Sequence, residues 1–177
     1  MAKLQASFDD EQAVGLQITR EKILELVVGG LSQELEGVVG KVEAQGYFTL
    51  VGKSIGDRLY KIYLDSLGVE ELSKKQLFSV LLSLSSHMEN QLVISEDESS
   101  FEFSRTFAPL SGVQMDNRYL SMFACGVVGH ITAQAAGHAR VLLRDADEEN
   151  PTKIRMQVFL NDLEGDGQVF YRVGPNG

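Results

Sequence analysis

The chain has 177 residues, 44% of them hydrophobic and 23% charged, a balance that supports a buried core and excludes wholesale disorder. Lys and Arg number 16 against 25 Asp and Glu, and a net charge of −9 argues against nucleic acid and anionic membrane surfaces as partners, because both recruit clustered cations. A single cysteine forms no internal disulfide, and Met1 to Asp10 holds no apolar signal-peptide core, so a cytoplasmic setting is expected.

This length fits one domain, read as 18–177 behind a loose tail at 1–17. Thr19 is the candidate N-cap of a first helix. Ile18 and Ile23 stand at staple spacing, and Leu24, Val27, Val28, Leu31, Leu35 and Val38 recur at three- and four-residue steps. Gly29, Gly30, Gly37 and Gly40 imply either a break near Gly37 to Gly40 or a second backbone packed closely there. A second helix is expected from about Ala44 to Ser66, with Phe48, Val51, Ile55, Leu59, Ile62 and Tyr63 as its stripe and Gly68 as its stop. Gly52 and Gly56, one turn apart, would admit a neighbouring helix. Ser73 to Gln76 reads as a capping box, Leu72 and Leu77 as a staple pair, and a third helix runs on towards Asn90.

The period then changes. Leu92 to Ser95 and Phe101 to Phe107 read as strands joined by an acidic turn, with Phe101, Phe103 and Phe107 on one face of the second. An uncharged helix follows from about Arg118 to Ala136, closed by Gly137; its polar residues and glycines favour a buried helix over a membrane span. Strands are expected at His138 to Arg144, Lys153 to Asn161 and Val169 to Val173. The class is α+β: an antiparallel sheet of four to five strands, one face covered by about four helices.

Chemistry-bearing motifs are few. Cys125 and His130 are five apart on one helix, about 140° around its axis, so they do not share a metal ion, and neither a metal nor another cofactor is expected. Cys125 lies among small apolar residues that raise a thiol pKa. Gly52-Lys53-Ser54 resembles the end of a phosphate loop, but Tyr47 stands where the leading glycine belongs. The acidic runs at Glu96 to Glu98 and Asp145 to Glu149 occupy turns and read as solvated surface. No catalytic residue is assigned. By alternation Arg105 falls on the apolar strand face, either as a cation at a pocket mouth or leaning out at the strand end. Phe48, Tyr60, Tyr63, Phe78, Phe101, Phe103 and Phe123 either line a cavity or fill a core.

The stretch Val51-Gly52-Lys53-Ser54-Ile55-Gly56-Asp57-Arg58-Leu59-Tyr60 resembles the G-x-x-x-G-x-x-L helix of the four-vinyl-reductase, or hydrocarbon-binding, domain family. Phe123 to Gly129, Gly137 and Val141-Leu142-Leu143 resemble that family's glycine-punctuated last helix and following strand. The resemblance implies a Bet3-like fold, shared with subunits of transport-protein-particle tethering complexes. Departures are plain: no cysteine follows the last helix where many members hold zinc, Cys125 lies on the late helix rather than the early one that is acylated in tethering subunits, and the haem-propionate motif of related haem domains is missing.

Together these readings imply a non-catalytic domain that binds or senses a hydrophobic small molecule, as a homodimer. Phe48, Ile55, Phe78, Phe103 and Phe123 are its candidate lining, and Arg105 or His130 its polar handle. Two alternatives stand beside it: a scaffold acting through protein contacts, for which the glycine-bearing first helix would meet a second copy, and an accessory of tetrapyrrole metabolism, implied by the family name.

Overall fold

A computed structural model describes residues 20–87, 91–106, 117–144 and 153–173. Four helices, α1 (Arg20–Val39), α2 (Lys41–Leu67), α3 (Lys74–His87) and α4 (Asn117–Ala136), accompany five strands. The strands are β1 (Gln91–Ile94), β2 (Ser100–Thr106), β3 (His138–Arg144), β4 (Lys153–Phe159) and β5 (Gln168–Tyr171). They form one sheet in the order β1-β2-β4-β3-β5, every neighbouring pair antiparallel. The class is therefore the α+β arrangement expected. The proposed tail, Phe107 and the acidic run Asp145 to Glu149 lie outside the described residues.

Local signals explain the boundaries. Between α1 and α2 the chain breaks at Gly40, whose φ of 90° is a conformation that side chains disfavour. Of the two readings of the first helix's glycines, the break holds: a Cβ on Gly30 or Gly37 would meet nothing within 4 Å. Gly68 ends α2 in the left-handed region at φ 64°, and Gly137 ends α4 at φ 90°. At α3 the capping box forms: Gln76 Oε1 accepts from the Ser73 backbone N–H at 2.9 Å and from Ser73 Oγ at 2.7 Å. The flanking Leu72 and Leu77 are both buried.

Alternation then sorts the sheet. Register pairs Phe101 with Val158, Phe103 with Met156, Val141 with Val158 and Ala139 with Phe170, so these side chains share the inner face. All are buried, together with Leu77, Phe78 and Leu81 of α3 and Val127, Val128 and Ile131 of α4. Phe101 is the hub, edge-on to Phe103 at 5.6 Å and to Phe78 at 6.2 Å. The opposite face carries Glu102, Arg155, Gln157 and Arg144, the last donating to Gln157 Oε1 at 3.1 Å.

The hairpin between β1 and β2 is pinned by its acidic turn. Asp97 Oδ1 accepts from Ser95 Oγ at 2.7 Å, Ser99 Oγ at 2.8 Å and the Ser99 backbone N–H at 3.0 Å. These bonds, that from Ser95 foremost, hold the Asp97 carboxyl down at about 2. Among the described residues no helix is long and apolar enough to cross a membrane.

Candidate functional site

The site is set by how α2 meets α4. Contacts advance together along both helices, from Phe48 against Tyr119 to Gly52 against Phe123 and Gly126, then Gly56 against Val127 and His130, so the two run parallel. At the second and third of these contacts Gly52, Gly56 and Gly126 let backbone approach backbone. Alongside this seam, from Leu50 to Leu64 of α2, a cleft of about 610 Å³ opens between the helices. Leu50, Lys53, Ser54, Asp57, Tyr60, Lys61 and Leu64 line it from α2, His130 and Gln134 from α4, and Val173 from the segment after β5.

Its polar centre is His130, 4% exposed. His130 Nε2 lies 3.7 Å from Asp57 Oδ1 and 3.4 Å from Gln134 Nε2, while its Nδ1 is buried without a hydrogen-bond partner among the described residues. Burial pushes the imidazole pKa down; Asp57 opposes that shift, and Lys53 and Lys61 add to it. The ring is thus favoured in its neutral form. Asp57 in turn accepts from Lys61 Nζ at 2.7 Å, and that bond is the chief reason its carboxyl lies below the ordinary value. Tyr60 Oη is a second buried polar atom without a hydrogen-bond partner among the described residues.

A smaller cavity of about 310 Å³ lies between α4 and the β3–β5 edge, lined by Met122, Cys125, Val141, Leu142, Leu143, Gly167 and Gln168. Cys125 Sγ sits 3.7 Å from Gln168 Oε1, and burial pushes its thiol up to about 12, so it stays protonated and unreactive as a nucleophile. Among the described residues no three His, Cys, Asp or Glu side chains are grouped to hold a metal ion.

Of the residues singled out from sequence, His130 and Tyr60 line the larger cleft. Phe78 and Phe103 belong to the buried core cluster, with Ile55 and Phe123 packed against it. Phe48 meets the buried Tyr119 ring at 5.2 Å, beside the hydrogen bond from Tyr119 Oη to Glu36 of α1. Arg105 pairs with Ile154 in the sheet register, and its side chain lies outside the described residues. Sequence reasoning missed the charged wall of the cleft, although Lys53, Asp57 and Lys61 recur at four-residue steps and so share one helix face.

No family model matches the chain, and no curated protein matches it. Among solved structures, trafficking protein particle complex subunit 3 from Naegleria fowleri, covalently bound to palmitic acid, is similar. That likeness has a TM-score of 0.51 and 12% identity, covering 79% of this chain and 94% of the other. At that identity it shows a shared, Bet3-like fold.

Proposed function

We propose that this chain is a non-catalytic domain that binds or senses a small, largely apolar molecule, and that the α2–α4 cleft receives it. The cleft carries the reading: it has ligand-sized volume, apolar walls from Leu50, Leu64 and Val173, and one buried histidine as its polar centre. The similar trafficking subunit carries palmitic acid, so a fold of this kind holds an acyl chain. In this reading Phe78 and Phe103, with Ile55 and Phe123 packed against the core, are core residues, Phe48 meets Tyr119, and His130 is the handle of the cleft. Membership of the four-vinyl-reductase type and a cytoplasmic setting belong to the same proposal.

Native mass spectrometry of the purified protein, then denaturation and extraction, tests it. A co-purifying mass released on denaturation supports the reading and identifies the ligand class. A clean apo mass, with no thermal shift across a panel of small aromatic and aliphatic compounds, overturns it.

A second reading rests on α1. Val27, Leu31 and Val38 are exposed at steps of four and seven residues, and the backbone beside them is open at Gly30 and Gly37. In this reading α1 meets a second copy of the chain and the protein acts as a dimeric scaffold. Light scattering on a sizing column decides: a dimer lost in Leu31→Glu supports it, and a monomer at every concentration sinks it.

A further inference from the structure

We infer that the molecule taken into the α2–α4 cleft carries an anionic head, a carboxylate on an apolar skeleton, held by Lys53. This rests on the cleft being the ligand site, and it adds the charge of the ligand, which apolar walls alone do not specify.

The charges around the cleft carry the argument. Lys53, Asp57 and Lys61 face it from α2, His130 and Gln134 from α4, and Tyr60 stands beside them. Lys61 and Asp57 neutralise each other at 2.7 Å. His130 is favoured neutral, as its burial dictates. Lys53 is left: half-buried, on the cleft wall, and with no ion-pair or hydrogen-bond partner among the described residues. Among the described residues the cleft therefore has one uncompensated positive charge, in a chain of net charge −9. A half-buried ammonium without a counter-ion is a poor stabilising element but a ready electrostatic anchor for an anion. Ser54, next to it on the wall, offers a hydroxyl donor to the same group. The ligand skeleton then lies along Leu50, Leu64 and Val173. Tyr60 Oη from α2 and His130 Nδ1 from α4, both without a hydrogen-bond partner among the described residues, add unmet polar capacity to the residues that line the cleft.

The test compares 2-naphthoate with 2-naphthamide, which share skeleton and shape and differ in charge. Binding is followed by ligand fluorescence and by the His130 imidazole resonances. The naphthoate is expected to bind about tenfold tighter than the amide, one charge-assisted hydrogen bond being worth roughly that factor. Lys53→Met should remove the difference, Lys53→Arg should keep it, and added salt should narrow it. Equal affinity for the two probes, or a preference that survives Lys53→Met, overturns the anionic head and leaves the apolar-ligand reading standing. Binding of neither probe, with the His130 resonances unmoved, removes the cleft as a site and the inference with it.

Discussion

Gly52 and Gly126 meet backbone to backbone: a Cβ on Gly52 would lie 3.0 Å from Gly126 Cα and only 2.2 Å from the carbonyl oxygen of Phe123. Reciprocally, a Cβ on Gly126 would lie 2.3 Å from the carbonyl oxygen of Thr49. Backbone atoms on both sides have no rotamer to change, so a methyl at either position must push α2 and α4 apart. Because these helices form the walls of the cleft, their separation sets its width.

Gly52→Ala should therefore destabilise the protein by roughly 2–3 kcal/mol, the upper part of the overpacking range. Gly46, on the same helix, would carry its Cβ into open space. Gly46→Ala should stabilise by up to about 1 kcal/mol, the helix-propensity difference. Urea denaturation of both variants checks the contrast. Two changes of the same sign would mean that propensity, not helix contact, governs these positions.

His130 gives a pH dependence with a definite sign. Burial sets its folded pKa below the ordinary 6.5, so between those two values the unfolded chain binds the proton and the folded chain does not. Its contribution to stability is thus fully present above 6.5, falls as the pH drops below that value, and is gone once the pH has passed the folded pKa. Stability measured from pH 7.5 to 5 should decline, and His130→Gln should flatten the decline. An unchanged slope in the variant would assign it to other groups.

The Cys125 thiol sits behind a different barrier. Burial that lifts its pKa to about 12 also keeps reagents from it. Ellman's reagent at pH 8 should label the native protein only as fast as it opens, and label it at once in denaturant. Rapid native labelling would mean that the cavity beside Met122 and Gln168 admits the reagent.

Much of this fold was legible because it rests on local chemistry. Ser73 with Gln76, Leu72 with Leu77, Gly68 and Gly137 mark ends that depend on a few neighbouring residues, and the structure has each of them. The pairing of Gly52 and Gly56 with a helix was legible for a related reason, since glycines one turn apart leave room for a backbone. The identity of that helix was not, for it comes from about 70 residues away. For the same reason the cleft was only partly legible. His130 was singled out as a polar residue on an apolar helix, but the Lys53, Asp57 and Lys61 wall resembles any solvated helix face until α4 is set beside it.

Ser73→Ala tests the local side. It removes the hydroxyl that donates to Gln76 Oε1 and accepts from the Gln76 N–H at 3.4 Å. A loss of about 1 kcal/mol is expected. Because α3 supplies Leu77, Phe78 and Leu81 to the core, the loss should appear in global unfolding, not as local fraying alone. Hydrogen exchange along α3 that rises without a change in global stability would contradict that coupling.

Arg140 shows what alternation alone hides. Its place in β3 puts it on the face away from the helices, where a charged side chain ordinarily meets water, yet it is 5% exposed. The segment after β4 folds over it: Nε donates to Asp162 O at 3.0 Å, Nη1 to Asp166 O at 2.8 Å and Nη2 to Asp162 Oδ2 at 2.5 Å. The guanidinium also lies 4.0 Å from the centre of the Phe159 ring. Two of the three acceptors are backbone carbonyls, so the guanidinium shapes the loop more than it neutralises Asp162, which is 56% exposed. Asp162→Asn should accordingly cost under about 1 kcal/mol, as exposed ion pairs do. Arg140→Met keeps the apolar stem over Phe159 but loses every donor, and should cost about 2–3 kcal/mol. Arg140→Lys should fall between them, because an ammonium cannot reproduce the fork that spans the loop. Hydrogen exchange reads the mechanism directly: in Arg140→Met the amides from Asp162 to Gln168 should exchange faster, while those of β1 and β2 keep their protection. Uniform acceleration across the sheet would make Arg140 a core residue like any other and not the clasp of this loop.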